Sequence, residues 1–273
     1  MVTGGRICFW QGGSLWLGRG AGRSAGHAHH AHQVAISLAG SCFFRSRAED
    51  AWSPFAGALI ASHREHEFEF DGVIAHLFVE PETAEGRALK CYIAPSGISS
   101  LPGPERRRMA AMLLQAERAG ESGAALVATG QAVLAVLTRA GAPRAAATPV
   151  DQRVVKAIEY VGFRVRAPVS LAEAASAALS PGRFRHLFVQ ETGTPFRAYL
   201  LWLRLNVAIE AAMQGASWTD AAHEAGFADS AHFNRTFKRM FGINPVELTA
   251  ARTGAARQPP GTGRRSAHLA AKQ

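Results

Sequence analysis

Cysteine is scarce in this sequence. Cys8, Cys42 and Cys91 are an odd number at wide spacing, which argues against a disulfide framework and suits a reducing compartment. The opening stretch "MVTGGRICFWQGG" lacks the apolar core of a signal peptide, so a cytoplasmic protein is expected. Long hydrophobic runs are also missing: the nearest, "AALVATGQAVLAVL" at 124–137, is too short for a bilayer and is interrupted by Gly130 and Gln131. A membrane partner is therefore not expected. Acidic residues are outnumbered, giving a net charge of +9, which favours a polyanionic partner. By segment, 14 Lys/Arg stand against 12 Asp/Glu in 1–150, 12 against 9 in 151–253, and 4 against 0 in the last 20, so the excess is mild except in the tail.

At 273 residues the chain has room for two domains, each with its own core. The first 80 residues read as short strands ("RICFW", "SLWLG", "QVAISLAG", "SCFFRSR", "GALIASH", "HEFEF", "VIAHLFVE") separated by Gly, Ser, Asp and Pro, a spacing that suggests a small antiparallel barrel or sandwich. After Pro104 the period changes. Met109, Met112 and Leu113, then Leu126, Val127, Val133, Leu134 and Leu137, recur at helical spacing and predict a pair of helices. "GAPRAAATPV", 141–150, reads as a linker, and 253–273 has too little to bury and is expected to be a disordered basic tail. The fold class is thus α+β multidomain: residues 1–140 a strand-rich domain with a helical pair, residues 151–252 all helix.

Two segments of the helical half share one plan. Ser170 is a candidate N-cap for "LAEAASA", "LSPG" turns, and "RFRHLFVQE" ends before Gly193; Thr219 is a candidate cap for "DAAHEA", "GFADS" turns, and "AHFNRTFKRM" ends before Gly242. Between them "PFRAYLLWLRLNVAIEAAMQG" suits one long buried helix through Tyr199, Leu200, Leu203, Leu205 and Ile209. A short helix, a tight turn and a second helix whose inner face carries Phe184, Leu187 and Phe188, or Phe233 and Phe237, is the helix-turn-helix plan, with an outer face available to DNA. Gly182, Arg183, Arg185 and His186 stand on the first outer face, and Ser230, Ala231, Asn234, Arg235 and Lys238 on the second. Arg and Asn suit guanine and adenine edges, and Lys and Arg neutralise phosphate.

"SPGRFRHLFVQETGTPFRAYLLWLRLNVAIEAA" followed by "GFADSAHFNRTFKRMFGINPVEL" closely resembles the AraC/XylS family of bacterial transcription regulators, over roughly 152–250. The resemblance implies two readers about one helical turn of DNA apart, joined by a rigid spacer helix. Position by position it implies that Gly182, Arg185 and His186 face bases from the first reader, and Ser230, Ala231, Asn234 and Arg235 from the second, with Arg183 and Lys238 on phosphate. Two departures stand out: Gly182 has no side chain with which to read an edge, and from Ser170 to Ser180 the first unit is one residue shorter than the family's usual spacing.

The resemblance also implies a cupin-like barrel before the readers. "HAHHAHQVAISLAG" resembles the first cupin motif, with His27, His29 and Gly40 in place and Gln33 where a metal-binding Glu is usual; "LIASHREHEFEF" resembles the second and puts His66 at the third histidine position. These four residues mark a metal or effector pocket. The missing carboxylate argues against a metal, so no cofactor is expected, and the histidines that include His30 and His32 are left as solvated loop residues or effector-pocket lining. Trp10, Trp16, Phe43, Phe44, Trp52, Phe55 and Phe78 either line such a pocket or are plain core. Arg106, Arg107 and Arg108 oppose the dipole at the start of the helical pair, and the pair, 104–139, is the candidate homodimer contact through Met109, Leu113, Leu114, Val133 and Leu137. The expected function is a one-component regulator of promoter DNA with no catalytic residue. Its expected partners are an unknown small-molecule effector and, for an activator, RNA polymerase. The alternative is a metal-dependent cupin enzyme with an accessory helical domain.

Overall fold

The computed structural model describes residues 2–140, 150–175 and 180–248. Seven strands form one antiparallel sheet: β1 (Val2–Trp10), β2 (Gly13–Arg23), β3 (His32–Arg45), β4 (Ser53–Pro54), β5 (Gly57–Ile60), β6 (Glu67–Val79) and β7 (Ile98–Ser100). Their order is β1-β2-β6-β3-β5-β7, with β4 paired to β3 off that path. The end strands β1 and β7 do not pair with each other, so among the described residues the sheet is open and the cupin-like barrel implied by the family resemblance is not closed. Helix α1 (Ala84–Leu89) precedes β7, and α2 (Gly103–Ala119) and α3 (Gly123–Ala140) follow it. The remainder is helical: α4 (Gln152–Arg164), α5 (Leu171–Ala174), α6 (Pro181–Thr192), α7 (Phe196–Gln214), α8 (Trp218–Glu224) and α9 (Ser230–Phe241). Of the expected linker, 141–149 lie outside the described residues, as does the tail at 253–273; Val150 is buried in one cluster with Val154, Phe184 and Phe188 and so belongs to the packed helical half.

Side chains alternate across a strand, and here both faces of the sheet are covered. Leu15 and Leu17 on β2, Val34 and Ile36 on β3, and Ala75, Leu77 and Val79 on β6 pack against Met109, Leu113 and Ala116 of α2 and Leu126, Val133, Leu134 and Leu137 of α3. Burial of each large apolar side chain here is worth about 1.5–3 kcal/mol. Met109, Leu113, Val133 and Leu137 are fully buried against their own sheet, so these four are not available as dimer contacts. Arg106 is half-buried, its stem laid over Gly57, while Arg107 and Arg108 stay exposed at the helix start.

The other face belongs to the alternate residues. Trp16 of β2 and Phe78 of β6 join Trp202, Leu205 and Ile209 of α7 and Phe233, Phe237 and Phe241 of α9 in one continuous cluster. The helical half is therefore the lid on the sheet's second face.

Two pairs of strands inferred from the sequence are single strands. "QVAISLAG" and "SCFFRSR" fuse into β3, and "HEFEF" and "VIAHLFVE" into β6, because the glycines that read as breaks continue the ladder. Gly20, Gly72 and Gly40 sit opposite one another on β2, β6 and β3, all at positive φ (142°, 125° and 81°). A Cβ on Gly40 would overlap the carbonyl oxygen of Asp71, and one on Gly72 that of Ala39, so only glycine fits this row.

Candidate nucleic-acid interface and sensor core

The second reader is built from its caps inward. Ser217 Oγ accepts the Asp220 N–H at 3.1 Å and starts α8, which moves the cap two residues ahead of the expected Thr219: with Ser217 outside the helix, Trp218 becomes its first residue and stacks on Phe233, ring centroids 5.7 Å apart. Asp229 Oδ1 accepts the His232 N–H at 2.6 Å and starts α9. Phe233 and Phe237 are buried, which turns the opposite side outward: Ala231, Asn234, Arg235 and Lys238 are exposed and Ser230 is half-buried at the first turn. All five residues expected on this reading face lie on it.

In the first unit Ser180 caps α6, Phe184 and Phe188 are buried, and Gly182, Arg183, Arg185 and His186 are exposed. A Cβ on Gly182 would meet nothing within 4 Å, so the missing side chain leaves open space on the outer face. The shortened spacing has a local cost. Helix α5 is a single turn of 4 residues against 7 in α8, closed by a Ser170–Glu173 capping box and ended where Ala175 turns extended. Residues 176–179, with the end of the expected "LAEAASA" helix and Leu179 of the "LSPG" turn, lie outside the described residues.

Between the two units runs a basic groove of about 1000 Å³ lined by Arg166, Arg185, Arg197 and Arg204 together with Gly226 and Phe227. Arg204 ties α7 to the end of α4 by donating to the carbonyl oxygens of Val165 (3.0 Å) and Ala167 (2.9 Å), and Arg166 pairs with Glu224 of the second unit. Arg197, exposed at the start of α7, was not singled out in the sequence; the signal was the "PFRAY" that opens the spacer helix beside the first reader.

The residues of the two cupin-like motifs converge under the helical half. His27, His29, Gln33 and His66 are all buried and in mutual contact, as their motif positions predicted. His30 and His32 are not solvated: both are buried, and His30 Nε2 lies within hydrogen-bonding distance, 2.9 Å, of Glu82 Oε2 while His32 Nδ1 accepts the Ser62 N–H at 2.9 Å. The aromatics divide. Trp16 and Phe78 meet Phe241 at centroid distances of 5.1 and 6.0 Å, Phe44 and Phe55 form core, and Trp52 carries the Arg23 and Arg45 guanidiniums at 4.9 and 4.6 Å. Trp202, unmarked in the sequence beyond its place in an apolar helix, crosses to the sheet and donates from Nε1 to Glu80 Oε1 at 3.1 Å. Burial and the neighbouring Glu82 push the Glu80 carboxyl above the usual carboxylate range. Burial also raises the Cys8 and Cys42 thiols to about 11 and 12, which keeps both protonated and unreactive.

No helix among the described residues is long and apolar enough to cross a membrane. The pattern of a helix-turn-helix domain matches residues 174–251. The transcriptional activator RhrA of Rhizobium meliloti (strain 1021) is 34% identical over 82 residues, which are 29% of this chain and only 26% of that protein's length. In three dimensions the chain is similar to ToxT of Vibrio cholerae O395, with a TM-score of 0.56 at 11% identity over 88% of this chain and 97% of that one. It is also similar to ToxT of Vibrio cholerae strain SCE256, solved with an unsaturated fatty acid bound, with a TM-score of 0.51 at 10% identity over 89% and 95%. At such identities the likeness carries the fold alone, an antiparallel sheet half followed by a helical reader half. Two helix-turn-helix units on one buried spacer helix, behind a sheet domain of this kind, thus make the chain similar in fold to ToxT, with residues 174–251 similar to a helix-turn-helix domain and 82 residues similar to part of a transcriptional activator.

Proposed function

We infer that this protein is a sequence-specific regulator that binds promoter DNA through α6 and α9 and responds to an effector held between its sheet and its reader half. The carrying observation is the pair of outward faces, Arg185 and His186 on α6 and Asn234 and Arg235 on α9, mounted on one 19-residue helix whose inner side is buried. Arg185, Asn234 and Arg235 have the donors that discriminate base edges, while Arg183, Lys238 and Arg197 neutralise phosphate. Nothing in this activity requires bond chemistry, and the enzyme alternative gains no support from the protein's relatives.

The effector reading rests on the shared interface. A cleft of about 460 Å³ lies between the sheet and α4 and α7, lined by Phe9, Trp10, Phe78, Tyr199 and Trp202, and a ligand there touches both halves. Its lining offers the carboxyl groups of Glu80, Glu159 and Glu210 and no Lys, Arg or His, so the carboxylate of a fatty acid such as the one bound in one ToxT structure has no cationic partner in this cleft. An effector acts by preferring one arrangement of sheet and readers over another.

The test is a binding selection on genomic fragments with the full-length protein at about 150 mM salt, where nonspecific phosphate attraction is partly screened. Two half-motifs about one helical turn apart are expected. A single short motif would remove the first unit from base reading, and an absence of enrichment with and without candidate effectors would refute the regulator assignment.

A further inference from the structure

Three imidazoles, one amide and the end of the second reader meet in one buried place. His27 and His66 pair through their backbones, His27 N–H to His66 O at 3.1 Å and the reverse at 3.0 Å. Each ring then turns Nδ1 to a backbone carbonyl oxygen: His27 to Ala25 (2.9 Å), His29 to Ala31 (2.9 Å) and His66 to Arg64 (2.8 Å). A carbonyl only accepts, so Nδ1 carries the hydrogen in all three. With the hydrogen on Nδ1 of each buried ring, each Nε2 keeps its lone pair. Ring nitrogens of the three come within 4.8 Å of one another.

Gln33 completes the group. Its Oε1 stands 3.0 Å from Nε2 of both His29 and His66, and its Nε2 donates to His76 Nδ1 at 2.8 Å. In this orientation an amide oxygen faces two nitrogen lone pairs with no hydrogen among them, an arrangement that a cation resolves. Turning the amide over places its NH₂ against both Nε2 atoms and its oxygen against an Nδ1–H of His76, which satisfies every group without an ion. The same side chains therefore have two self-consistent states that differ by one cation.

We propose that His27, His29 and His66, with the Gln33 amide oxygen as fourth ligand, bind one divalent first-row transition-metal ion, and that this ion sets the position of the second reader. The 3.0 Å spacing between Gln33 Oε1 and the two Nε2 atoms matches neighbouring ligands on such an ion, whose bonds are about 2.0–2.1 Å. The three Nδ1–H···O=C bonds are the outer support that fixes a ligating histidine's tautomer and direction. Imidazole ligands select this class over calcium or magnesium. Phe78, Trp202 and Phe241 cover His29, at centroid distances of 5.1, 6.1 and 6.4 Å, and keep the place dry. The link to the reader is Ala25: its oxygen holds His27 Nδ1, and its N–H donates to the oxygen of Gly242, the residue that ends α9, at 2.9 Å. Ligation draws His27 toward His29 and His66, and the Ala25–Gly242 contact moves with it. The metal site stands on the sensor core alone; its regulatory consequence rests on the function proposed above.

The experiment uses the full-length protein stripped with chelator, titrated with Co²⁺ while its visible absorption is recorded, and loaded separately with Zn²⁺ for elemental analysis. One ion per chain is expected. His66→Ala should abolish it, and Gln33→Glu, which adds a charge to the ligand set, should tighten it roughly ten-fold or more. Since His66→Ala can lose its fold, metal-free thermal melts of each variant and the gain in Gln33→Glu decide between a lost ligand and a lost structure. Far less than one equivalent in the wild type, or affinity unchanged in both variants, overturns the site. On the selected operator, stripped and Zn²⁺-loaded protein should differ in affinity by about five-fold or more. Equal affinities overturn the coupling to α9 while the site stands, and DNA binding by neither form refutes the regulator reading while leaving the metal result intact.

Discussion

Gly193 and Gly242 end α6 and α9 in the same left-handed conformation, φ 73° and 70°, and so provide an internal control for the contact between sheet and reader. An alanine in that conformation costs about 1–2 kcal/mol, offset by about 0.4–1 kcal/mol from the stiffer unfolded chain. At Gly193 nothing more is added, because the nearest atoms to a new Cβ, on His63, are 3.8 Å away. At Gly242 the new Cβ would overlap the oxygen of Ala25 and lie 2.8 Å from His27 Nδ1 and 3.0 Å from Ser24 Cβ, and only separation of α9 from the sheet relieves it. Separation breaks the Ala25 N–H to Gly242 O bond, worth about 0.5–1.5 kcal/mol net, and opens the Trp16–Phe241 pair, worth about 0.5–1.5 kcal/mol beyond its burial. Gly242→Ala should therefore cost about 1–3 kcal/mol more than Gly193→Ala, a Tm lower by roughly 2–12 °C at about 2–4 °C per kcal/mol for a protein of this size. Paired circular dichroism melts of the two full-length variants measure this directly. Equal losses would refute the packing of α9 on the sheet, and with it any route from effector to DNA through that contact.

Arg235→Ala should weaken operator binding by about 1–3 kcal/mol and relax preference at one base position, whereas Lys238→Ala should weaken all sequences alike and lower the salt slope by about one; identical effects would remove Arg235 from base reading. The buried histidines set an acid limit. Burial lowers His27 to about 4 and His29 and His76 to about 3, while the unfolded chain protonates near 6.5, so their contribution is complete above about pH 6.5 and is lost as pH falls toward 4 and then 3. Below pH 6 the three together should remove roughly 4 kcal/mol per pH unit; a Tm unchanged between pH 7 and 5 would contradict their burial. Glu80 has the opposite sign: raised in the folded state, it supports the fold at low pH and loses that support as pH rises through its folded value. Glu80→Gln keeps an acceptor for Trp202 and should raise Tm at pH 8 but not at pH 5; equal shifts at both would contradict the raised carboxyl.

The two readers were legible because each is local: caps, turn and inner phenylalanines lie within two dozen residues, and period and punctuation suffice to place Arg185 and Asn234 outward. The four-residue group His27, His29, Gln33 and His66 was legible through motif spacing, although its separation of 39 residues between first and last member hides the actual contact. What failed depended on partners distant in sequence. The apolar stripe of α2 and α3 looks the same whether its partner is a second copy or the chain's own sheet, and the sheet won. Gly40 and Gly72 look like strand ends until they face each other, and Trp202 looks like spacer-helix core until Glu80 appears opposite it. His30 and His32 read as loop histidines because nothing nearby announces Glu82 or the Ser62 amide.

The row formed by Gly20, Gly72 and Gly40 has a geometric consequence for the sensor core. Gln33 lies opposite Phe78 at one end of β6, and His66 precedes the other end by one residue. Along a flat strand those two points would be about 40 Å apart at roughly 3.3 Å per residue. Yet Gln33 Oε1 and His66 Nε2 stand 3.0 Å apart. The open sheet must therefore bend back on itself, and the three positions without side chains form the crease along which it does so. An interior is enclosed without any closing ladder between first and last strands, and substituting one glycine of the crease would unfold the pocket's geometry from 15 Å or more away along the strand, with every ligand still in place in the sequence.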